Sequence, residues 1–323
     1  MSDRDEHIRA LALFGSHVRI LVGAPIGTER RPPELAAIEI EALLRRLHGE
    51  LTRFDADSAL SRLNADPKAE VATTPAVALL VESARRAAVA SGGLVDAAQI
   101  GALEGVGYAA SRVNSDVADF RSALASAPAR RAAVASDASR WDEVRVNLEA
   151  ATVRRPPGMR IDSGGLGKGL AADLAAGRLK GYSSFAVDCG GDIRIGGSTK
   201  AERVVQVVHP FGPDETVELR LRRGGIATSG IRTRIWKQRE GYSHHLLDPA
   251  TGTPAWTGVV QATALAPTAV QAETLAKAAV LAGPARGSDL LEEHGGLVVL
   301  DSGETVAIGD VPFADRREAA AVM

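Results

Sequence analysis

Apolar and polar residues alternate through HVRILVG (17–23), the period of a half-buried strand. From Pro33 to about Phe54 the period lengthens: Leu35, Ile38, Ala42, Leu43, Leu47 and Leu51 recur at helical spacing. TTPAVALLVESARRAAVASGG predicts a second helix, with Thr74 as N-cap, Pro75 at its first position and Gly92 as its stop. The stretch 110–158 is polar and irregular, with a short helix expected near 116–125 and a hairpin from VRVN and ATVRR. It reads as a surface insertion. After the glycine-rich IDSGGLGKG comes the helix LAADLAAGRLK, stopped by Gly181, and then FAVDCGGDIRIGG as two strands about a bend. RVVQVVHP, TVELRLR, VVQATALA and GLVVLDS read as strands. PTAVQAETLAKAAVLAG is a helix from Thr268 to Gly283, and SDLLEEHG a shorter one. Many strands with hairpin-like connections predict an α+β fold rather than a doubly wound sheet. No repeat or linker divides the chain, so one domain over 1–323 is expected.

Composition narrows the function. With 323 residues and a formal net charge of −2, the chain lacks the clustered basic excess that phosphate backbones require, and aromatics are only 4%. No nucleic-acid partner is expected. Cys189 is the only cysteine, which excludes an internal disulfide and a cysteine-built zinc site. No run approaches the roughly 20 apolar residues that span a bilayer, and charges fill the N-terminus where a signal peptide needs an apolar core. No membrane insertion and a cytoplasmic location are the expectations.

Four stretches carry candidate chemistry. Gly164, Gly165, Gly167 and Gly169 surround Lys168 ahead of a helix, where bare backbone and a helix N-terminus favour an anion. Where a P-loop needs a glycine and a hydroxyl, this loop has Asp162 and Gly169. Gly190 and Gly191 interrupt apolar strand pieces before Asp192, which reads as a bulge or a close approach. Cys189 beside them reads as a small buried residue. GGIATSGIRTRIW reads as a hydroxyl-capped turn at Thr228 and Ser229 followed by surface arginines, Arg232 and Arg234. In YSHHLLDPATGTPA, His244 and His245 point to opposite faces of an extended segment, and a single catalytic histidine is a better reading than a metal site.

In order, FDADSALSRLN, SGGLVDAAQIG, IDSGGLGKGLAAD, VDCGGDIRIGG, ATSG and HHLLDPATGTPA resemble the flavin transferases of the ApbE type, from roughly residue 13 to 300. The resemblance implies a single T-fold-like α+β domain with an antiparallel sheet and packed helices. It implies FAD as substrate: the pyrophosphate is cleaved, FMN is attached to a Thr or Ser hydroxyl of an acceptor flavoprotein, and AMP leaves. By the same resemblance Phe14, Phe54, Leu94, Val95, Asp96, Asp162, Gly165, Lys168, Thr228 and Leu246 contact or position the cofactor. His245 is the implied base, Lys168 neutralises phosphate charge, and His244 is structural.

The pattern breaks at one place. Family helices carry an Asp and a Thr that bind Mg²⁺ together with a carbonyl of the glycine loop, here that of Gly165. The matching stretch AETLAKA puts Glu273 and Lys277 at those positions. Either the Lys277 ammonium takes the metal's place, held by Glu273, or the two form an i,i+4 pair facing water. Glu273 still offers one carboxylate for Mg²⁺. Two other activities stay open: an FAD-binding carrier without chemistry, and an FAD pyrophosphatase giving FMN and AMP.

Overall fold

The computed structural model describes residues 6–27, 30–111, 118–200, 202–212 and 215–315. The chain begins β1 (His7–Leu13), β2 (Ser16–Val22), α1 (Pro33–Leu51), α2 (Ala59–Ala65), β3 (Glu70–Ala72), α3 (Pro75–Ala90) and α4 (Ile100–Gly105). It continues with α5 (Phe120–Ala125), β4 (Arg145–Asn147), β5 (Thr152–Arg154), α6 (Gly167–Arg178), β6 (Ser184–Cys189), β7 (Ile193–Gly197), β8 (Arg203–Val208) and β9 (Thr216–Leu221). The last part is β10 (Gly224–Gly230), β11 (Ile235–Lys237), β12 (Tyr242–His244), β13 (Val259–Ala266), α7 (Ala269–Leu291), β14 (Gly296–Leu300) and β15 (Thr305–Ile308).

Eight strands form one antiparallel sheet in the order β1-β2-β6-β7-β10-β13-β14-β15. Alternation decides its two faces. Phe185, Val187 and Cys189 of β6 face the helices with Val18 and Ile20, while Ala186 faces the other way with Ile195, Ile226 and Leu265. The first face is covered by α1, α6 and α7 and the second by the β8–β9 hairpin, whose Leu219 and Leu221 pack there. A separate three-stranded sheet, β3-β5-β4, includes the hairpin expected from VRVN and ATVRR.

Local chemistry sets the helix ends. The Thr74 hydroxyl accepts from the Val77 N–H and Pro75 stands at the first position, as the sequence predicts. The Thr268 hydroxyl accepts from the Gln271 N–H in the same way. Within α7, Gly283 is extended and left-handed (φ 76°, ψ 179°) because Pro284 forbids a helical predecessor, so two helical pieces meet there. The carbonyls freed at that break find donors: Ala133 N–H bonds Leu281 O at 2.8 Å, and the Thr257 hydroxyl bonds Val280 O at 2.5 Å.

The structure departs from the sequence reading at several points. The first long helix ends at Leu51, short of Phe54. The helix expected near 116–125 is α5; residues 112–117 lie outside the described residues. Gly190 and Gly191 form the two-residue turn of the β6–β7 hairpin, both left-handed (φ 73° and 91°), rather than a bulge in a strand. Thr228 and Ser229 lie inside β10, paired with Thr263 and Ala262 of β13, rather than in a turn. Residues 118–158 bury Phe120, Ala133, Trp141, Val144 and Val153 against the body of the fold.

Candidate functional site

The glycine loop is fixed from below before any ligand arrives. The Asn64 side-chain amide bonds both the N–H and the C=O of Ile161, at 2.8 and 2.9 Å. Next door, the Asp162 N–H bonds Ala97 O at 2.8 Å and its carboxylate meets Arg53 Nε at 3.2 Å. This ties the loop to the 94–98 segment, where Asp96 accepts from Trp141 Nε1 and from the Ala98 N–H, each at 2.8 Å. The helix begins earlier than expected, so Gly167 and Gly169 belong to α6. A Cβ on Gly169 would stand 2.8 Å from Ala269 O, so that glycine lets α6 approach the start of α7. A Cβ on Gly165 would collide with the Lys277 ammonium.

His245 arrives from a short antiparallel ladder. β11 pairs β12 with Ile235 opposite His244, so the next pair outward is Arg234 with His245. Alternation sends Ile235 and His244 into the core and leaves Arg234 and His245 on the opposite face, toward the cleft. His244 sits edge-on to Trp256, with ring centroids 4.7 Å apart. The DPATG turn follows, closed by Gly252 N–H to Asp248 O at 2.8 Å and clamped by Asp248 Oδ1, which accepts from the Val134 N–H at 3.0 Å.

These segments enclose one cleft. Its walls include Leu94, Val95, Asp96, Asp162, Gly165, His245, Leu246 and Lys277 from the sequence-predicted set, together with Gln99, Tyr108 and Arg234. Phe54 lies at the rim, its ring 6.0 Å from that of Tyr108 and 4.2 Å from the Arg53 guanidinium. Phe14 lies away from it, in the left-handed turn of the β1–β2 hairpin and edge-on to His48. The Thr228 hydroxyl is engaged by Thr263 Oγ1 at 2.8 Å. Lys168, one residue into α6, turns beneath the loop onto the buried Asp192 instead of lining the cleft.

Electrostatics separates the groups by role. Burial pushes His245 well below the ordinary histidine value, helped by Arg234, His244 and Lys277, while a hydrogen bond to the Arg234 backbone pulls the other way. The imidazole is therefore neutral at pH 7, and its Nδ1 is buried with no partner. Under the loop, burial followed by the Asp192 charge pushes Glu273 up, with Lys168 and Lys277 opposing. Burial pushes Lys277 down, with Glu273 and Asp192 opposing.

The water-facing reading of Glu273 and Lys277 is overturned. Glu273 is 3% exposed and its Oε2 accepts from the Gly169 N–H at 2.9 Å, so a carboxylate from α7 already occupies the α6 N-terminus. The site also fails the chemistry of a divalent ion. An ammonium lies against Gly165 where a carbonyl and a hydroxyl would have to converge, and the Glu273 carboxylate serves the helix. No group of three or more His, Cys, Asp or Glu side chains suited to a metal occurs among the described residues.

Arg234, Tyr108, Gln99 and Arg53 were missed from sequence. Arg234 read as a surface arginine because nothing in IRTRIW itself shows the register with β12 that turns it toward the cleft. Gln99, whose Oε1 is buried and unpartnered, stands inside a quoted block but carries no motif of its own.

Over residues 14–300 the sequence matches the ApbE family. A Treponema pallidum (strain Nichols) protein named FAD:protein FMN transferase is 29% identical over 316 residues, 91% of this chain and 84% of that one. Among solved structures, an ApbE protein from Thermotoga maritima superposes with a TM-score of 0.76 at 24% identity, covering 99% of this chain and 100% of that chain. The flavin transferase ApbE from Vibrio cholerae gives 0.71 at 20% identity, covering 94% and 97%. At such identities these structures speak for the fold, and it is the expected mixture of antiparallel sheet and packed helices. With the match spanning nearly the whole chain, the protein belongs to the ApbE family.

Proposed function

We propose that the protein is an FAD:protein FMN transferase that works without a divalent ion. The observation that carries this is a neutral histidine with a free, buried Nδ1 in a cleft walled by Gly164 and Gly165 and holding two cations, Arg234 and Lys277. A dinucleotide's diphosphate needs bare backbone and positive charge; an acceptor hydroxyl needs a base. The acceptor is a flavoprotein carrying a Thr or Ser target. Its hydroxyl oxygen bonds to the FMN phosphorus and the bridging P–O bond breaks. The electron pair leaves on AMP, and the hydroxyl proton passes to His245 Nδ1. Lys277 supplies one positive charge at the position where the family pattern implies a metal. Lys168 and Glu273 act beneath the loop, holding it against α6 and α7. Asp96 and Asp162 orient the substrate, and Phe54 and Leu246 pack on it.

The test is a mass assay. Protein, FAD and an acceptor domain of the Asp-Gly-x-Ser/Thr-x-Ala-Thr kind are incubated with EDTA and then with Mg²⁺. We expect the acceptor to gain one FMN under EDTA. Gain restricted to Mg²⁺ would show that Glu273 gathers the ion and Lys277 stands aside. Free FMN with AMP would make the protein a pyrophosphatase, and intact bound FAD a carrier.

A further inference from the structure

Arg234 ends the short 3₁₀ turn Arg232–Arg234 and leads directly into β11. Carried one step past Ile235 and His244, the ladder register sets it opposite His245, and cross-strand partners point to the same face. Both line the cleft with Gly164, Gly165 and Lys277. The carboxylates around this site are committed elsewhere. Asp162 meets Arg53, Asp96 meets Trp141, Asp192 holds Lys168, and Glu273 caps α6. The guanidinium is left to the cleft, and its charge reaches both His245 and Lys168, making a proton on either less welcome. A half-buried arginine facing a cleft, with no acid paired to it among the described residues, is a costly arrangement unless an anion comes to it.

We infer that Arg234 is a catalytic residue of the transfer proposed above: it grips the diphosphate of the dinucleotide with its planar fork and takes up the charge that grows on the departing nucleoside monophosphate. The chemistry fits the residue type. As the acceptor oxygen bonds to the FMN phosphorus, the bridging bond breaks and its electron pair moves onto the AMP phosphate. A guanidinium offers paired donors in the geometry of phosphoryl oxygens, keeps its charge at any working pH, and strengthens its hold as that oxygen becomes more negative. The base and the leaving-group cation are then neighbours on one ladder, one strand apart. A contact that strengthens in the transition state lowers kcat on removal more than it raises KM.

The experiment compares wild type with Arg234→Gln and Arg234→Lys, after matching thermal melts establish that all three fold. Inorganic pyrophosphate is titrated into the free protein by calorimetry, and FMN transfer is followed at varied FAD, with and without added guanidinium. Arg234→Gln is expected to lose pyrophosphate affinity by about tenfold or more. Its kcat is expected to fall by about 100-fold, with a smaller change in KM, and guanidinium to restore part of it. Arg234→Lys, keeping the charge without the fork, falls between the two. Unchanged pyrophosphate affinity in Arg234→Gln overturns the inference, whether or not the wild type transfers FMN. A loss of kcat that guanidinium leaves untouched, with pyrophosphate binding intact, assigns Arg234 to holding His245 and also overturns it. Because the titration requires no transfer, lost affinity supports the diphosphate contact even where the FMN-transfer reading fails.

Discussion

Burial deprives His245 of water and Arg234 and Lys277 add positive charge, so the imidazole resists protonation. A base must be unprotonated, so activity is present above the depressed value and lost as pH falls through it. The transfer rate is therefore expected to stay level across pH 6.5, where an ordinary histidine titrates, and to decline only at more acidic pH. A rate–pH profile with its acidic midpoint near 6.5 would remove His245 from this role. His245→Ala is expected to lose transfer by about 100-fold or more while FAD still binds, read by mass and by flavin fluorescence. His244, pushed down to about 3 by burial, bears on stability instead. Above pH 6.5 neither folded nor unfolded chain protonates it; below 6.5 the unfolded chain does and the folded one does not until about pH 3. Stability should fall across that window by up to about 1.4 kcal/mol per pH unit from this residue, and His244→Gln should flatten the slope in denaturant titrations. The sequence shows both histidines and, from alternation, their opposite directions. Alternation alone does not say which one faces the cleft; the family resemblance pointed to His245, and the Ile235–His244 register puts that residue on the cleft face.

At the level of elements, α6 and α7 meet where the helix N-terminus takes the Glu273 carboxylate and Gly169 lets the backbones touch. Gly169→Ala places a methyl group against backbone that cannot swing aside, and should cost about 1–3 kcal/mol in equilibrium unfolding. Gly165→Ala meets instead the far end of a flexible lysine. It should leave stability nearly unchanged while moving Lys277 and raising the KM for FAD. Equal losses of stability in the two variants would contradict this division. Helix and strand types were largely legible here: Thr74, Pro75 and Thr268 mark starts, and Gly283, read as a helix end, is where the two pieces of α7 meet. The reassignment of Thr228 and Ser229 from turn to strand was not, because Ala-Thr-Ser-Gly carries turn residues that β13 pairs as a strand.

Across the whole molecule, the cleft gathers walls from residues 94–108, 162–166, 234–247 and 277–281. The charges behind it act as a set: Lys168 on Asp192, Glu273 on the α6 N-terminus, Lys277 against Gly165. Exchanging the last two for the family's oxygen donors, Glu273→Asp with Lys277→Thr, is expected to make transfer rise with added Mg²⁺ and fail under EDTA. Indifference of that double variant to metal would show that the two positions do not govern it. The order of motif blocks was sufficient to find the family, since six short stretches in sequence each keep their own residues. The partners of those residues lie far away in the chain and leave no local mark.

The sequence by itself determined the kinds of element, their order and the residue types available for chemistry, because period, capping and turn formation act over a few neighbouring residues. Tertiary structure decided which charges meet. Lys168, expected at the phosphates, lies beneath the loop on Asp192, while Arg234, read as a surface residue, lines the cleft beside His245. Ladder register and burial make that choice: a shift of one position between β11 and β12 would turn a side chain from cleft to core, and Lys168 meets an acid 24 residues further along the chain, neither of which a local pattern of residue types encodes.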